Sequence, residues 1–454
     1  MAAEEKQLIQ LSENLLFTRI FKTFRMAIQP SKLIVAFLAI AALCILGLLM
    51  DLNKTVVTAS GATGAEISGP PMTSRIISGF PTELHCFVAA PDEVKTFIER
   101  YDRPEDRIGV FDALSRFWTG RFNDGISELL ALNFIGVFSN LSMCVDAVVW
   151  AFWYHTVYSV IFFAAFVIVG AIAGGAICRM AAVQFANDER PGVVQGLQFA
   201  RRKLGHLICA PLIPLAIVLA LGFFIFLLGL VGNIPYAGEL LVAVFLIFAM
   251  LAGFFITLLL VGAVGGFTLM FPTIAYEGSD SFEAINRSIS HVYARPWRMA
   301  FYTLVAAVYG AACYVFVRLF AFVLLAVTHG FLRLGLWVNS SGVSGVNKLE
   351  AVWPTPSFLD LAGPIPVQLN RTEGVASFLI SLAVLIVFCC VAAFVVSFFF
   401  SANTIIYALM RKKVDNTPLD EIYIDSEGGS RDTTLPTDLP TEAHDDSDNS
   451  GSSE

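Results

Sequence analysis

Apolar residues in this chain gather into six long runs, at about 32–50, 150–178, 205–232, 239–271, 299–322 and 375–402. A helix needs roughly 20 apolar residues to cross the hydrocarbon core of a bilayer, so each run predicts a membrane span. None is interrupted by a run of charges. The predicted fold class is therefore all-α: a polytopic transmembrane helix bundle of about six spans. Some thirty residues precede the first run, far more than the short charged region of a cleaved signal, so it reads as an uncleaved anchor. The fourth run is long, and Gly262, Gly265 and Gly266 near its end predict a kink or a turn along the interface. The fifth continues through Phe331–Trp337; it is expected to end near 322 and go on as an interfacial helix, which leaves five or seven spans open.

Composition agrees with this pattern. The chain is 56% hydrophobic and only 15% charged, with 40 phenylalanines, and its mean hydropathy is +0.72. A soluble chain of this length would need more charge to cover its surface. The net charge of −8 misleads, because much of the acid lies in the last thirty residues while the short segments between runs are basic. A nucleic-acid partner is not expected.

Basic residues predict the orientation. Arg19, Lys22, Arg25 and Lys32 precede the first span; Arg179, Arg190, Arg201, Arg202 and Lys203 lie between spans two and three. Arg287, Arg295 and Arg298 lie between spans four and five, and Arg411, Lys412 and Lys413 follow span six. With six spans all four clusters fall on one side, which puts both termini in the cytoplasm of a bacterial inner membrane. The other side receives the turn 232–236 and the longer segments 51–149 and 329–374.

Outside the spans, residues 7–28 alternate apolar and basic positions at helical spacing. This predicts a basic amphipathic helix, either lying on the anionic leaflet or packed on its own bundle. Segment 51–149 opens with a small-residue stretch (59–74) and then turns helical. Pro91 starts a short helix, and Phe111, Leu114, Phe117, Trp118, Phe122, Ile126, Leu129 and Leu130 form an apolar stripe leading into Asn133–Val149. A small extracytoplasmic helical subdomain resting on the membrane is expected. Residues 425–454 are too polar to offset the entropy of ordering, and predict a disordered tail.

Of eight cysteines, six lie in or at the ends of apolar runs and none forms a CxxC. Cys86 and Cys144 both belong to the segment facing the oxidising side, so a disulfide between them is expected.

Spans two to three and four to five share a plan: a glycine pair, an amphipathic helix, then a basic cluster. The pairs are Gly170 with Gly174 and Gly262 with Gly266, and small residues at this spacing permit close helix packing. In the second unit Asp280 or Ser281 is the expected N-cap of a helix over Ser281–Tyr293. A duplicated helical hairpin follows. The stretch from Met270 through Glu283-Ala-Ile-Asn-Arg-Ser to Met299 resembles an uncharacterised family of bacterial polytopic membrane proteins, and the Gly232–Leu240 turn fits the same family. The looser plan of span, cytoplasmic helix and span is similar to the membrane domain of some glycerophosphodiester phosphodiesterases and to Yip-type membrane proteins. The first resemblance implies no activity; the second extends to the membrane part alone, with no catalytic barrel.

Charge inside a span is the best sequence pointer to function in a membrane protein. Arg318 is such a charge. If span five ends near 322 it is a snorkelling anchor; if the span runs on, it is buried and needs a partner, for which Glu239 and Asp146 are the available carboxylates. His155, His206 and His291 show no metal spacing and read as structural. No HExxH, P-loop, GxSxG or nucleotide fingerprint occurs. No enzyme, cofactor or metal is expected. The leading expectation is a non-catalytic component that organises lipids or proteins, with membrane lipids as partners and a protein partner met through the cytoplasmic helices or the acidic tail. The alternative is a transporter or channel-like protein for a small anionic or lipidic solute.

Overall fold

In a computed structural model, residues 15–59, 81–103, 107–339, 347–358 and 371–423 are described. The chain divides into two compact units, 1–422 and 423–454. The predicted disordered tail, most of the stretch 59–74 and the first residues of the N-terminal amphipathic segment lie outside the described residues.

The fold is all-α, and no strand occurs among the described residues. A 3-10 helix (Leu15–Lys22) and α1 (Thr23–Ala27) lead into α2 (Pro30–Met50). The next segment holds α3 (Glu83–Ala89), α4 (Val94–Tyr101), α5 (Val110–Leu130) and α6 (Phe134–Tyr154). Then come α7 (Thr156–Asn187), α8 (Val193–Arg202), α9 (Leu204–Val231) and α10 (Ala237–Glu277). The chain closes with α11 (Ser281–Ala294), α12 (Pro296–Gly335), α13 (Lys348–Val352) and α14 (Arg371–Val414).

Among the described residues seven helices are long and apolar enough to cross a membrane: α2, α6, α7, α9, α10, α12 and α14. Six coincide with the expected runs. The seventh, α6, comes from the segment expected outside the bilayer, because Phe134–Trp153 is apolar enough to meet lipid over its whole length. The run beginning at 150 is in fact two helices broken at His155, whose φ of −129° and ψ of 50° end the first. Phe152 and Phe163 stack edge to face at 5.9 Å. Eleven residues of straight helix would separate them by about 16 Å, so the chain turns sharply there.

Two other expectations are corrected. α10 passes through Gly262–Gly266 as one helix to Glu277, and α12 runs unbroken to Gly335 instead of ending near 322. The α10 glycines are filled by residues of α11, Pro272 sits within the continuing helix, and α12 contains no proline between 322 and 335. The N-terminal segment takes the packed alternative. Phe17 meets Phe301, Phe21 meets Tyr309, and Ser397 Oγ donates to the Ala27 carbonyl at 2.8 Å, with Ile20 fully buried.

The repeat is visible in the caps. α7 ends at Asp188 and α10 at Gly278, both left-handed (φ 58° and 65°), a conformation that stops a helix and turns the chain. α8 and α11 then fold back on the helices they follow. Asp280 caps α11 by accepting from Glu283 N at 2.8 Å. The glycines are used unequally. A Cβ at Gly266 would stand 3.1–3.3 Å from the Ser288–Ile289 backbone, and at Gly262 it would strike Ile289 and Tyr293. Gly174 instead makes room for Phe271 and Phe400, while a Cβ at Gly170 meets nothing. Close approach in the first unit falls at Gly196, beside Met180 and the Ala176 carbonyl.

At the basic end, Arg179 donates to Ala275 O (2.9 Å) and Lys203 to Gly278 O (2.6 Å), completing the carbonyls at the end of α10. At the opposite end a small separate core of Val56, Leu84, Val110, Ala113, Phe117 and Trp150 joins α3, α5 and α6.

Candidate functional site

Arg318 sits near the middle of the 40-residue α12, between exposed Phe316 and Phe320, yet is only 6% exposed itself. A helix of that length extends about 60 Å, twice the thickness of a bilayer core. Burial of a guanidinium requires acceptors. Tyr314, one turn earlier on the same face, accepts from Nη1 at 2.8 Å. The Phe358 carbonyl accepts from Nε at 3.0 Å. Asn123 of α5, 9% exposed, accepts through Oδ1 from both Arg318 and, at 2.7 Å, the Tyr314 hydroxyl. The Phe358 and Tyr314 rings lie 5.3 and 5.9 Å from the guanidinium carbon.

Tyr314 also lines a cavity of about 600 Å³ between α2, α5, α6, α12 and α14. Its wall is almost wholly apolar, with Ile40, Phe122, Ile126, Leu141, Phe388 and Val391 among the contributors. Phe122, Leu141 and Phe388 are themselves 41%, 60% and 38% exposed, so the wall continues into the lipid-facing surface. Polar groups enter through Arg121 and Asn140. Arg121 Nη1 reaches Asn140 Oδ1 at 3.4 Å and Asp124 at 3.5 Å, and its guanidinium lies 5.4 Å from the Phe117 ring centre. Phe117 in turn packs on His85, where burial and the charge of Arg121 push the imidazole down to about 4. The cavity is thus apolar along the spans and cationic where α5 meets the small core.

The other residues singled out from sequence lie elsewhere. Glu239, in the first turn of α10, and Asp146, on α6, are both exposed. Among the described residues neither forms an ion pair with Arg318; the acceptors described around it are the Asn123 amide, the Tyr314 hydroxyl and the Phe358 carbonyl. Cys86 and Cys144 are both free. Cys144 shares the cavity-lining face of α6 with Val137, Asn140 and Leu141. Met143, Ala147, Trp150 and Ala151 face α3 and its small core. Burial, with Glu93 nearby, pushes the Cys86 thiol up.

Two polar constellations escaped the sequence reading. Glu277 accepts from Tyr407 (2.5 Å) and Arg287 (2.8 Å), with Arg411 Nε at 3.2 Å, and so ties α10, α11 and α14 together at the basic end. At the other end Glu83 meets His155 Nε2 at 2.9 Å, and His155 Nδ1 lies 3.3 Å from Thr55. Each joins residues far apart in sequence; the only local hint was a glutamate ending an apolar run. His291 pairs with Asp415 at 3.1 Å and His206 with Ser281 at 3.3 Å. Among the described residues no three metal-ligating side chains converge.

A scan against family models finds no match, and searches of curated proteins and of solved structures find none either.

Proposed function

We propose that this chain is a non-catalytic multi-pass protein of a bacterial cytoplasmic membrane, both termini inside, that takes up a lipidic solute between α2, α5, α6, α12 and α14. The cavity carries this reading. It has the size of a small-molecule site and the apolar wall with a few convergent polar groups that such sites use, and its wall merges with lipid-facing surface. The four basic clusters support the orientation, and α6 leaves it unchanged. α5 and α6 pair as a hairpin whose outer ends, at 110–117 and 147–151, share the small core, so the hairpin enters and returns on one side. The resemblance of 270–299 to bacterial polytopic proteins supports the compartment. Of the two classes open from sequence, the solute-binding one is therefore preferred.

Lipid extraction and mass spectrometry of the detergent-purified full chain tests it. Gly125 lines the cavity, and a Cβ there would meet only Asn140 Cβ at 3.9 Å, so Gly125→Phe places a ring in the space without a backbone clash. Wild type should retain tightly bound lipid near one per chain, and Gly125→Phe should lose it while remaining folded. Equal lipid in both proteins refutes the reading.

A membrane-organising role rests on a different feature: Trp297 (87% exposed), between Arg295 and Arg298, and Phe282 (69%), at the other end of α11, stand out from the surface. Co-purification of a protein partner that is lost on Trp297→Ala and Phe282→Ala, but not on Gly125→Phe, would favour that role.

A further inference from the structure

We infer that the cavity takes an anionic amphiphile, one acyl chain along the spans and a carboxylate or phosphate headgroup on Arg121. This rests on the lipidic reading above and adds the chemistry of the ligand. The cavity has two unlike ends. Ile40, Phe388 and Val391, from the interiors of α2 and α14, can meet only hydrocarbon. Arg121 and Asn140 stand at the other end, where α5 and α6 join the small extracytoplasmic core through Phe117 and His85.

Arg121 is suited to a headgroup. Its side chain is 18% exposed, so the charge is largely desolvated and its attraction for an anion is less screened than at a surface. Its own contacts are loose: Asn140 at 3.4 Å, the Met143 sulfur at 3.7 Å and Asp124 at 3.5 Å. A guanidinium carries five N–H donors in a planar fork that matches two oxygens of a carboxylate or phosphate. Such an anion would form shorter bonds than any of these three. His85, held neutral near physiological pH by burial and by Arg121, adds no competing charge. A zwitterionic headgroup would bring a cation towards Arg121 and is disfavoured. Fatty acids and anionic phospholipids share the required chemistry, and the experiment separates them.

The full-length protein in nanodiscs of phosphatidylcholine would be supplied with trace oleate, phosphatidylglycerol or labelled phosphatidylcholine, and bound species counted by native mass spectrometry. Wild type should prefer an anionic species over phosphatidylcholine by about tenfold, a ratio well within reach of one charge-assisted bidentate contact. Enrichment of oleate alone identifies a fatty-acid site, and of phosphatidylglycerol a phospholipid site. Arg121→Gln should reduce the preference to about twofold or less, Arg121→Lys should keep part of it, and raised salt should weaken it in wild type. The salt series needs no variant, so poor folding of Arg121→Gln leaves a decisive measurement. Equal retention of phosphatidylcholine and both anions, emptied by Gly125→Phe, overturns the headgroup assignment and leaves the lipid cavity standing. A wild-type protein with no bound lipid, or a dimer whose second copy fills the cavity and dissociates on Gly125→Phe, overturns both.

Discussion

The Arg318 guanidinium donates to the side-chain oxygen of Asn123, a residue 195 positions earlier in the chain. This bond makes α5 a partner of α12 deep along a lipid-facing helix. It also leaves Tyr314 between a buried charge and an apolar cavity.

If Arg318 were a snorkelling anchor, replacing it by leucine would cost nothing. Its burial gives the opposite expectation. Asn123→Ala removes an acceptor shared by Arg318 and Tyr314 and should destabilise the protein by about 1–3 kcal/mol, the cost typical of leaving buried donors short of a partner. Arg318→Leu should also lower the melting temperature in detergent. The double variant should be less damaging than the sum of the two singles, since each removes the same interaction. Additive losses would show that the two residues act separately.

The glycines provide a test of packing within one molecule. Gly266→Ala drives a Cβ against the Ser288–Ile289 backbone, which cannot rotate away, and should cost about 1–3 kcal/mol. Gly170→Ala meets open space and should be neutral or slightly stabilising, because alanine favours helix. Thermal unfolding of the two variants under identical conditions decides it, and equal effects would contradict the unequal packing of the two units.

Acidification should loosen the small core of α3, α5 and α6 through His85. Its imidazole titrates at about 4 in the fold against 6.5 for the free side chain, because it is buried beside Arg121, with Phe117 and Thr82 as its other neighbours. Between these values the unfolded chain binds the extra proton, so stability is complete above 6.5 and falls as pH drops towards 4. The full contribution is about 3 kcal/mol. His85→Gln should flatten this part of the pH–stability curve.

Cys86 and Cys144 should be recovered as thiols. Peptide mapping after alkylation in denaturant, without reductant, is expected to find both modified and no linked peptide. Before denaturation Cys86 should react slowly, being buried with its thiol pushed up. A linked peptide would overturn the free state of both thiols.

Much of the architecture was legible because its causes are local. The cap at Asp280 acts within a turn of the helix it bounds, and the apolar runs mark their own spans. Local reasoning failed where a helix could equally well continue or stop. The ends of α10 and α12 were placed too early, since glycine or arginine in an apolar run does not end a helix when a neighbour packs on it. The break at His155 was invisible for the converse reason: one histidine does not end an apolar run, while its bonds to Glu83 and Thr55 come from other segments.

What the sequence determined by itself is that this chain is a membrane-embedded helical bundle with one basic end. Transfer of apolar and charged residues between water and lipid is a property of each segment, independent of its neighbours. Only the tertiary structure decided that Arg318 is buried on Asn123 and that α6 is a seventh apolar helix folded against α5. It alone revealed that a cavity with an arginine at one end lies among five helices. These depend on which helical faces meet, and inside a bilayer every face is apolar, so hydropathy and periodicity do not distinguish the face that meets lipid from the one that meets protein.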